Sequence, residues 1–406
     1  MKNNTYTEKE YKYALSITSQ FYFCGLPFRL DTTPKCSLNC VYCYAMSIGG
    51  RRTKPEQIAN PEKLKRRFEN LENKQNPNIS DQFLKLKIPL HFGGMSDPFA
   101  DIQTSKVSVE LLKILSNYNY PTVLSTKNTD LLLENEVIKT LVSHKNLIVQ
   151  ISLSSLDKNF ISKIEPSAPS PEKRIHAMKI LSSENIPVFT RLQPFFPWRA
   201  SEVIQELIPA ICEAKSNHVT VEFLKLPIEK RSNPIVNISR ACDFDVLNYY
   251  KIHHLSNVSR EWQIPPNIKW DLIQPIINSL HEHNLTYGAG DYGLNHLGDT
   301  DCCCGVDKVL GFSDFFKGNF AYFIRKSTPN TLCWRNFSKN NFPENSIKRY
   351  IMSESRLKNV KNNLYEFLKN KWNNPNSVNS PDSYLGVKFT HEYDDQGDCV
   401  YEKVRV

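Results

Sequence analysis

Three cysteines near the start of the sequence have the spacing of an iron–sulfur ligand set. They are Cys36, Cys40 and Cys43, in the pattern C-x3-C-x2-C. In a [4Fe–4S] cube each thiolate binds a different iron, and a tightly turning loop can supply three such thiolates from contiguous sequence. The fourth iron then stays open for a group of a substrate or cofactor, as the open position of a catalytic metal site does. The spacing therefore predicts a cluster that takes part in chemistry.

A zinc knuckle is the alternative interpretation of these thiols. A structural zinc site is closed by four ligands, so it needs another cysteine or histidine nearby. The sequence has no cysteine between Cys43 and Cys212, and the nearest downstream histidine, His91, lies at the end of a predicted strand. Cys24 is the upstream thiol that could serve as a fourth ligand, so the zinc interpretation stays open.

A second group of thiols, Cys302, Cys303 and Cys304, precedes Gly305, and Cys333 follows further along the chain. Adjacent side chains of an extended chain point to opposite sides, so we expect at most two of the three to act together with Cys333. Cys302, Cys304 and Cys333 would then ligate an auxiliary iron–sulfur cluster. Packing is the alternative, because a free cysteine behaves like a small apolar side chain. The isolated cysteines are predicted to pack: Cys24, Cys212, Cys242 and Cys399.

The elements that position these thiols alternate between predicted strands and predicted helices. Apolar and β-branched runs predict strands at 28–33, 87–92, 121–126, 147–153, 187–193 and 218–224. Helical periodicity and capping residues predict helices at 61–74, 107–118, 131–143, 171–183 and 201–215. Strands joined by helices imply right-handed crossovers and a parallel sheet. Six such units predict an α/β fold, either a partial barrel of the TIM type or an open doubly wound sheet.

The first three cysteines directly follow the first predicted strand, so we expect them on a loop at the carboxyl end of the sheet. The regular alternation ends near residue 227. We therefore predict a leader over 1–27, a core over 28–227 and an α-rich C-terminal extension over 228–406, which contains the second cysteine patch. Residues 285–288 are a candidate seventh strand.

The composition is that of a globular protein with metal-binding thiols. Of the 406 residues 40% are hydrophobic, which is enough for a large α/β domain with extensions. The 11 cysteines are clustered and odd in number, which favours metal binding in a reducing compartment over disulfides. The net charge of +9 favours an anionic partner such as nucleic acid, although a lysine-rich proteome gives the same excess. Without an apolar run of membrane length or a signal peptide, we expect a cytoplasmic protein.

Around the first cysteines the sequence resembles the radical S-adenosylmethionine (SAM) superfamily. The signature of that superfamily has this spacing with an aromatic residue just before the third cysteine, here Tyr42. From about residue 30 to residue 197 the chain is similar to the spore photoproduct lyase-like, or "DNA repair photolyase", group. The resemblance implies a (β/α)6 partial TIM-type barrel, the radical SAM core, with cofactor and substrate at the carboxyl ends of the strands.

The resemblance also implies which residues contact SAM. Gly93 and Gly94, in the turn after the second strand, would lie against its methionyl part, because glycine lets the backbone approach closely. The other side chains of the implied cofactor site are Tyr42, Ser125, Lys127, Ser152 and Arg191. A serine at a strand end often only forms a turn. The argument for Arg191 is stronger, because burying an unpaired charge costs free energy and the SAM carboxylate would neutralise the guanidinium.

By the same resemblance, a reduced [4Fe–4S] cluster cleaves SAM, and the 5′-deoxyadenosyl radical abstracts a hydrogen from the substrate. The implied electron donor is a reductant such as flavodoxin or ferredoxin. The resemblance and the basic charge favour a nucleic acid base as the substrate, to be repaired or modified. The turn from Gly93 to Asp97 lacks the thiol from which spore photoproduct lyases return a hydrogen. Reversal of a thymine dimer by that route would need a hydrogen from Cys302, Cys303 or Cys304.

Two other functions stay open. One is a radical SAM enzyme that modifies a peptide or a small molecule, in which Cys302, Cys304 and Cys333 hold an auxiliary cluster. The other is a zinc-stabilised nucleic-acid-binding protein without enzymatic activity, which the six strand–helix units disfavour.

Overall fold

The structure is a computed structural model, and it describes residues 9–18, 24–43, 57–228, 234–258, 261–309, 311–312, 317–341 and 364–406. In these ranges the strands are β1 (Lys9–Glu10), β2 (Leu15–Ile17), β3 (Phe28–Leu30), β4 (Gln57–Ile58), β5 (Leu90–Phe92), β6 (Thr122–Thr126), β7 (Leu147–Ser152), β8 (Val188–Phe195), β9 (His218–Phe223), β10 (Leu226–Pro227), β11 (Ser256–Val258), β12 (Glu261–Gln263), β13 (Thr286–Ala289), β14 (Thr331–Cys333), β15 (Val387–Tyr393) and β16 (Cys399–Lys403).

The helices of the described residues are α1 (Pro61–Glu69), α2 (Ile79–Lys85), α3 (Ile102–Asn117), α4 (Thr129–Leu132), α5 (Asn135–Ser143), α6 (Lys158–Ile164), α7 (Pro171–Ser183), α8 (Ala200–Glu202, π-helical Val203–Leu207 and Ile208–Glu213), α9 (Pro234–Cys242), α10 (Val246–Ile252), α11 (Pro266–Glu282), α12 (Phe320–Lys326), α13 (Trp334–Asn341) and α14 (Leu364–Trp372). Short 3-10 turns lie at Pro197–Arg199, Tyr292–Leu297, Val306–Lys308 and Pro381–Ser383.

The main sheet of the described residues has eight strands in the order β13-β9-β8-β7-β6-β5-β3-β2. All neighbouring pairs from β13 to β3 are parallel, and β2 runs antiparallel to β3. The outermost strands, β13 and β2, are not neighbours in this order, so the sheet forms a partial barrel.

Helices cover the outer face of the sheet, because the chain must cross back between parallel strands. They are α3 between β5 and β6, α5 between β6 and β7, α7 between β7 and β8, and α8 between β8 and β9. On α3, Val109, Leu112 and Leu115 are buried at intervals of three residues, which is one stripe of a helix. All five residues of β6 are buried, as expected for a parallel strand that is covered on both faces.

Two apolar clusters lie on opposite faces of the sheet. Neighbouring residues of one strand belong to different clusters, for example Val123 and Leu124 on β6. The smaller cluster, which we call the floor cluster, consists of Leu26, Val123, Ile148, Phe189, Cys302 and Val306. Its strand residues all lie near the starts of β6, β7 and β8. The floor cluster therefore fills the amino-terminal end of the barrel interior.

The predicted α/β partial barrel is confirmed, and its six predicted strands lie side by side in chain order. The candidate seventh strand is confirmed as β13, which pairs in parallel with β9. The region after residue 228 is helical as expected, and it also contributes to two antiparallel sheets that the sequence pattern did not predict: β10-β12-β11 and β14-β16-β15. The division into leader, core and extension stays a prediction, and residues 1–8 and 19–23 lie outside the described residues. In the described ranges, none of the helices has the length and apolarity of a membrane span.

Candidate functional site

The loop of the first three cysteines, residues 31–43, begins where β3 ends. It is tied to the turn after β5 through Asp31, whose buried carboxylate accepts the N–H of Met95 at 2.7 Å and of Ser96 at 3.3 Å. The hydroxyl of Ser96 donates in return to the carbonyl of Thr33. The cysteine loop and the glycine turn are therefore held as one unit at the carboxyl end of the sheet.

The thiols of this loop are free and lie in a protected environment. The sulfur of Cys36 accepts hydrogen bonds from the backbone N–H groups of Asp97 and Leu38, and burial raises the pKa of its thiol to about 12. Burial, with the nearby carboxylate of Glu165, also raises the pKa of Cys40. A soft metal that replaces these protons would make the buried thiolates favourable, so the donor set fits an iron–sulfur cluster.

A single zinc ion would need the sulfurs of the cysteine loop closer together than the separate irons of a cube do. Two sulfurs bound to one zinc at about 2.3 Å stand about 3.8 Å apart in a tetrahedral site. Of the described Cys, His, Asp and Glu residues, only Cys302, Cys303 and Cys304 form a group of three whose ligand atoms lie within 4.8 Å of one another. The thiols of the cysteine loop are thus not gathered for one ion, and separate irons of a cube fit them better.

A buried charge network holds the second half of the cysteine loop. The Tyr42 hydroxyl donates to the Glu165 carboxylate, which forms an ion pair with Arg174. The side chains of Glu165 and Arg174 are both 0% exposed. The ammonium of Lys127 lies 3.7 Å from Glu165 and 5.9 Å from the centre of the Tyr42 ring. Tyr42 and Lys127 are thus brought together, beside the loop.

The two glycines of the turn after β5 leave no room for side chains. A Cβ atom on Gly93, whose φ is +87°, would stand 2.5 Å from the carbonyl oxygen of Ser125 and 2.7 Å from Cδ of Pro98. A Cβ on Gly94 would stand 3.1 Å from Cδ of Arg29. The backbone of this turn therefore lies directly against the mouth of the barrel, where the resemblance predicts SAM.

The interior of the barrel is polar above the floor cluster. Ser125 Oγ lies 2.8 Å from His91 Nε2 and donates to Oε1 of Gln150 at 2.9 Å. Nη1 of Arg191 donates to Ser125 Oγ at 3.1 Å, and Nε of Arg191 donates to Gln193 at 2.7 Å. Burial, reinforced by the Arg191 charge, lowers the pKa of His91 to about 3, so this imidazole is neutral. The structure thus brings Ser125 and Arg191 together.

Ser152 is the last residue of β7 and pairs with Arg191 in the sheet. Its carbonyl oxygen accepts a hydrogen bond from Nη1 of the buried Arg174 at 3.0 Å. This contact joins the end of β7 to the charge network of the cysteine loop.

The second cysteine patch forms a turn inside the barrel. The N–H of Gly305, whose φ is +68°, donates to the carbonyl of Cys302 at 2.8 Å. The sulfurs of Cys302, Cys303 and Cys304 consequently lie within 4.8 Å of one another. The expectation that at most two of these thiols converge was wrong, because it assumed an extended chain, and a turn gathers all three.

Cys304 faces positive charge. Hydrogen bonds from Cys302 and Cys303, helped by the nearby charge of Arg191, hold the pKa of its thiol well below the usual value. Cys24 packs against the same floor cluster and interacts electrostatically with Cys304, so it is not the isolated residue that the sequence indicated.

Cys333 lies elsewhere, on β14. Burial raises the pKa of its thiol, and the charges that act on it are those of Asp394, Arg335 and Asp395. The structure therefore does not bring Cys333 to the Cys302–Cys304 turn. Of the other isolated cysteines, Cys242 and Cys399 belong to the large apolar cluster and Cys212 packs against it.

Sequence reasoning missed three buried carboxylates that shape the site: Asp31, Asp97 and Glu165. Asp97 accepts hydrogen bonds from Thr126 Oγ1 at 2.7 Å and from the N–H of Lys127 at 2.6 Å, and so joins the glycine turn to the end of β6. A signal was present for Asp31, since an acidic residue directly after a buried strand needs a partner.

A known protein family matches the part of the chain that carries the cysteine loop and the glycine turn. Residues 30–197 match the family model described as "Radical SAM superfamily". A solved spore photoproduct lyase complexed with dinucleoside spore photoproduct is similar at 13% identity and a TM-score of 0.47, over 66% of this chain and 78% of that one. SuiB of Streptococcus suis is similar at 12% identity and a TM-score of 0.44, over 73% of this chain and 56% of that one. No curated protein matches the sequence.

The family match runs from the end of β3 to β8 and includes the cysteine loop, the glycine turn and Arg191. It confirms an enzyme and removes the non-enzymatic alternative. Members of the family use SAM and a [4Fe–4S] cluster, and residues 30–197 of this chain form a domain that matches the radical SAM superfamily.

Proposed function

We propose that this enzyme holds a [4Fe–4S] cluster through Cys36, Cys40 and Cys43 and uses it to act on a base of a nucleic acid. The observation that carries the proposal is the cysteine loop, whose free thiols are tied through Asp31 to the glycine turn at the barrel mouth. When bound and reduced by a flavodoxin or ferredoxin, the cluster and SAM supply the 5′-deoxyadenosyl radical.

The chain's own residues position these groups. The two backbone N–H groups that reach the Cys36 sulfur stabilise its thiolate, and the Asp31 contacts keep the loop at a fixed distance from the turn. Gly93 and Gly94 leave a bare backbone for the methionyl part of SAM. The polar groups for its carboxylate and ribose are Ser125, Lys127, Ser152 and Arg191. Tyr42 supports the loop through the hydrogen bond of its hydroxyl to the Glu165 carboxylate.

A basic cleft between α1 and α2 supports an anionic substrate. The cleft has a volume of about 610 Å³ and is lined by Lys63, Arg66, Arg67 and Lys74, with Asn70, Asn73 and Asn78. Asp81 neutralises part of this charge through ion pairs with Arg67 at 2.6 Å and with Lys74, and Glu10 pairs with Lys63 at 2.6 Å. Four cations against two carboxylates leave the cleft basic, in keeping with the net charge of +9, and phosphate contacts dominate nucleic acid binding.

Cluster binding is tested by anaerobic reconstitution of the wild type and of a Cys36→Ala, Cys40→Ala, Cys43→Ala variant. We expect about four more irons per chain in the wild type, and reductive cleavage of SAM to 5′-deoxyadenosine in the wild type alone. Zinc instead of iron on these three cysteines would overturn the proposal.

The substrate class is tested by binding of single- and double-stranded DNA and of RNA at low salt. A Lys63→Gln, Arg66→Gln variant should bind more weakly, and the slope of log K against log salt should become shallower by up to about 0.9 for each phosphate that is no longer neutralised. The matched control is Lys173→Gln, Lys179→Gln, which removes two exposed lysines of α7 and should leave binding unchanged. If the wild type binds none of these nucleic acids at low salt, the substrate assignment fails.

The second candidate function is modification of a peptide or small molecule. The observation in its favour is the group of thiols inside the barrel, which could hold an auxiliary cluster, although their spacing fits a single ion better. A further four irons that remain in the Cys36→Ala, Cys40→Ala, Cys43→Ala variant would favour it.

A further inference from the structure

The thiols at the floor of the barrel have the spacing of a single metal ion. The sulfurs of Cys303 and Cys304 are 3.9 Å apart, and all three sulfurs of the turn lie within 4.8 Å of one another. Sulfurs at about 2.3 Å from one tetrahedral ion stand about 3.8 Å apart. Thiolates of a cube bind different irons, so the cluster between them holds them further apart. The spacing therefore fits one ion better than an auxiliary cluster.

The turn is fixed in place by contacts that need no metal. The carbonyl oxygen of Cys303 accepts from Thr220 Oγ1 at 2.9 Å and lies 2.9 Å from Nε2 of His218. A Cβ on Gly288 would stand 2.1 Å from the same carbonyl oxygen, so a side chain there would expel the turn. Strands β9 and β13 thus form a slot for the turn, and the thiols are aimed before any ion binds.

Cys24 supplies a fourth thiol from a distant part of the sequence. It packs against the floor cluster together with Cys304 and is close enough for the two to interact electrostatically. The N–H of Leu26, itself a member of the floor cluster, donates to the Cys24 sulfur at 3.4 Å. Three thiols from one turn lie within 4.8 Å of one another, and Cys24 lies outside that group. A movement of the Cys24 side chain towards the turn would complete a four-sulfur set.

The surroundings match the charge of such a site. A divalent ion with four thiolates carries a net charge of −2, and the guanidinium groups of Arg29 and Arg191 both act on Cys24. The hydrogen bonds of Arg191 within the described residues go to the neutral side chains of Gln193, Ser125 and His91. The two positive charges would neutralise the doubly negative centre in an interior where burying an unpaired charge costs free energy.

We propose that Cys24, Cys302, Cys303 and Cys304 bind one thiophilic metal ion of the Zn²⁺ class at the floor of the barrel. Each thiol that binds gives up its proton, and no electron is transferred. The ion joins the segment before β3 to the turn after β13. It closes the barrel at the end opposite to the cysteine loop, and it does not depend on the proposed substrate.

The test is the metal content of the full-length chain with the cysteine loop disabled by Cys36→Ala, Cys40→Ala and Cys43→Ala. After incubation with Zn²⁺ alone and desalting, we expect about one zinc per chain and no iron. Adding Cys24→Ser and Cys304→Ser should lower the zinc at least tenfold. Adding Cys242→Ser and Cys399→Ser instead, which removes two thiols of the large cluster, should leave it unchanged.

Co²⁺ is a second probe and reports geometry. The loop-disabled chain should show the strong sulfur-to-cobalt charge-transfer absorption of a tetrahedral thiolate site, and Zn²⁺ should displace it. Circular dichroism of each variant separates loss of ligands from loss of fold.

Three outcomes would overturn the proposal: no zinc in the loop-disabled chain, zinc that persists without Cys24 and Cys304, or about four irons in place of zinc. None of these depends on SAM cleavage or nucleic acid binding. A chain that binds zinc but no DNA or RNA therefore contradicts the proposed substrate and leaves this inference standing.

Discussion

Arg174 and Lys173 are neighbours on α7 whose ion pairs differ in burial. Arg174 pairs with Glu165 with both side chains 0% exposed, whereas Lys173 pairs with Asp130 at 2.7 Å with 60% and 50% exposure. Arg174→Met leaves the Glu165 carboxylate buried beside Tyr42, so the free energy of unfolding should fall by roughly 3–5 kcal/mol. Lys173→Met, the matched control, should change it by less than about 1 kcal/mol. Urea denaturation of the metal-free protein measures both, and equal effects would contradict the argument.

A comparison of Gly93 with Gly397 distinguishes the effect of backbone strain from that of steric crowding. Both have positive φ, +87° and +78°, but a Cβ at Gly397 meets nothing within 4 Å, whereas at Gly93 it meets the Ser125 carbonyl at 2.5 Å. Gly397→Ala should therefore cost only about 1 kcal/mol of backbone strain. Gly93→Ala should cost more and should weaken SAM binding at least tenfold, measured by equilibrium dialysis. Normal SAM affinity in Gly93→Ala would place SAM away from this turn.

At the scale of single residues, sequence predicts local chemistry better than contacts across the fold. The spacing of Cys36, Cys40 and Cys43 lies within one short segment, so it could be recognised directly. The role of Glu165 could not, because its partner Tyr42 lies 123 residues away. The convergence of Cys24 with Cys304 depends in the same way on the closed barrel.

Two helix caps give a matched pair at the scale of elements. Asp101 caps the long helix α3, and its side chain accepts the N–H of Thr104 at 2.8 Å. Ser170 stands at the cap position of α7 but makes no capping hydrogen bond. Asp101→Ala should lower the free energy of unfolding by about 1 kcal/mol, and Ser170→Ala by clearly less. Denaturant titrations compare the two, and a larger decrease for Ser170→Ala would contradict this assignment.

The alternation of strands and helices was predictable because buried parallel strands and amphipathic helices have different apolar patterns. Pro171–Ser183 has the predicted bounds, since its proline marks the first turn. By contrast α3 begins at Ile102, before the predicted residue 107, because Asp101 is the cap. The turn at Cys302–Gly305 was missed, because its place inside the barrel depends on partners on β9 that lie far away in the sequence.

Buried histidines give the molecule a predictable response to acid, and besides His91 and His218, whose pKa values burial also lowers, they include His144 and His296. Burial lowers the pKa of His144, and it lowers that of His296 to about 4. Because both folded values lie below the unfolded value of about 6.5, their stabilising contribution is complete above pH 6.5 and is lost as the pH falls below it. From pH 6.5 towards 5, each should lower the free energy of unfolding by up to about 1.4 kcal/mol per pH unit.

Denaturant titrations from pH 7.5 to 5 measure this slope. A His296→Gln variant, which can still donate to the carbonyl of Leu385, should show a shallower slope than the wild type. An unchanged slope would mean that His296 is accessible to protons in the folded protein.

The position of β13 in the chain sets an order of events during synthesis on the ribosome. All contacts described for the cysteine loop, from Asp31 to Arg174, are made by chain that emerges before β9. The sheet, however, ends at β9 until Thr286–Ala289 arrives, so the nascent protein carries an open strand edge of the kind that pairs with other chains. Insertion of the proposed cluster can thus precede completion of the barrel, while the Cys302–Cys304 turn emerges only after β13. A pause in translation between β9 and β13 should therefore favour aggregation more than disruption of the cysteine loop.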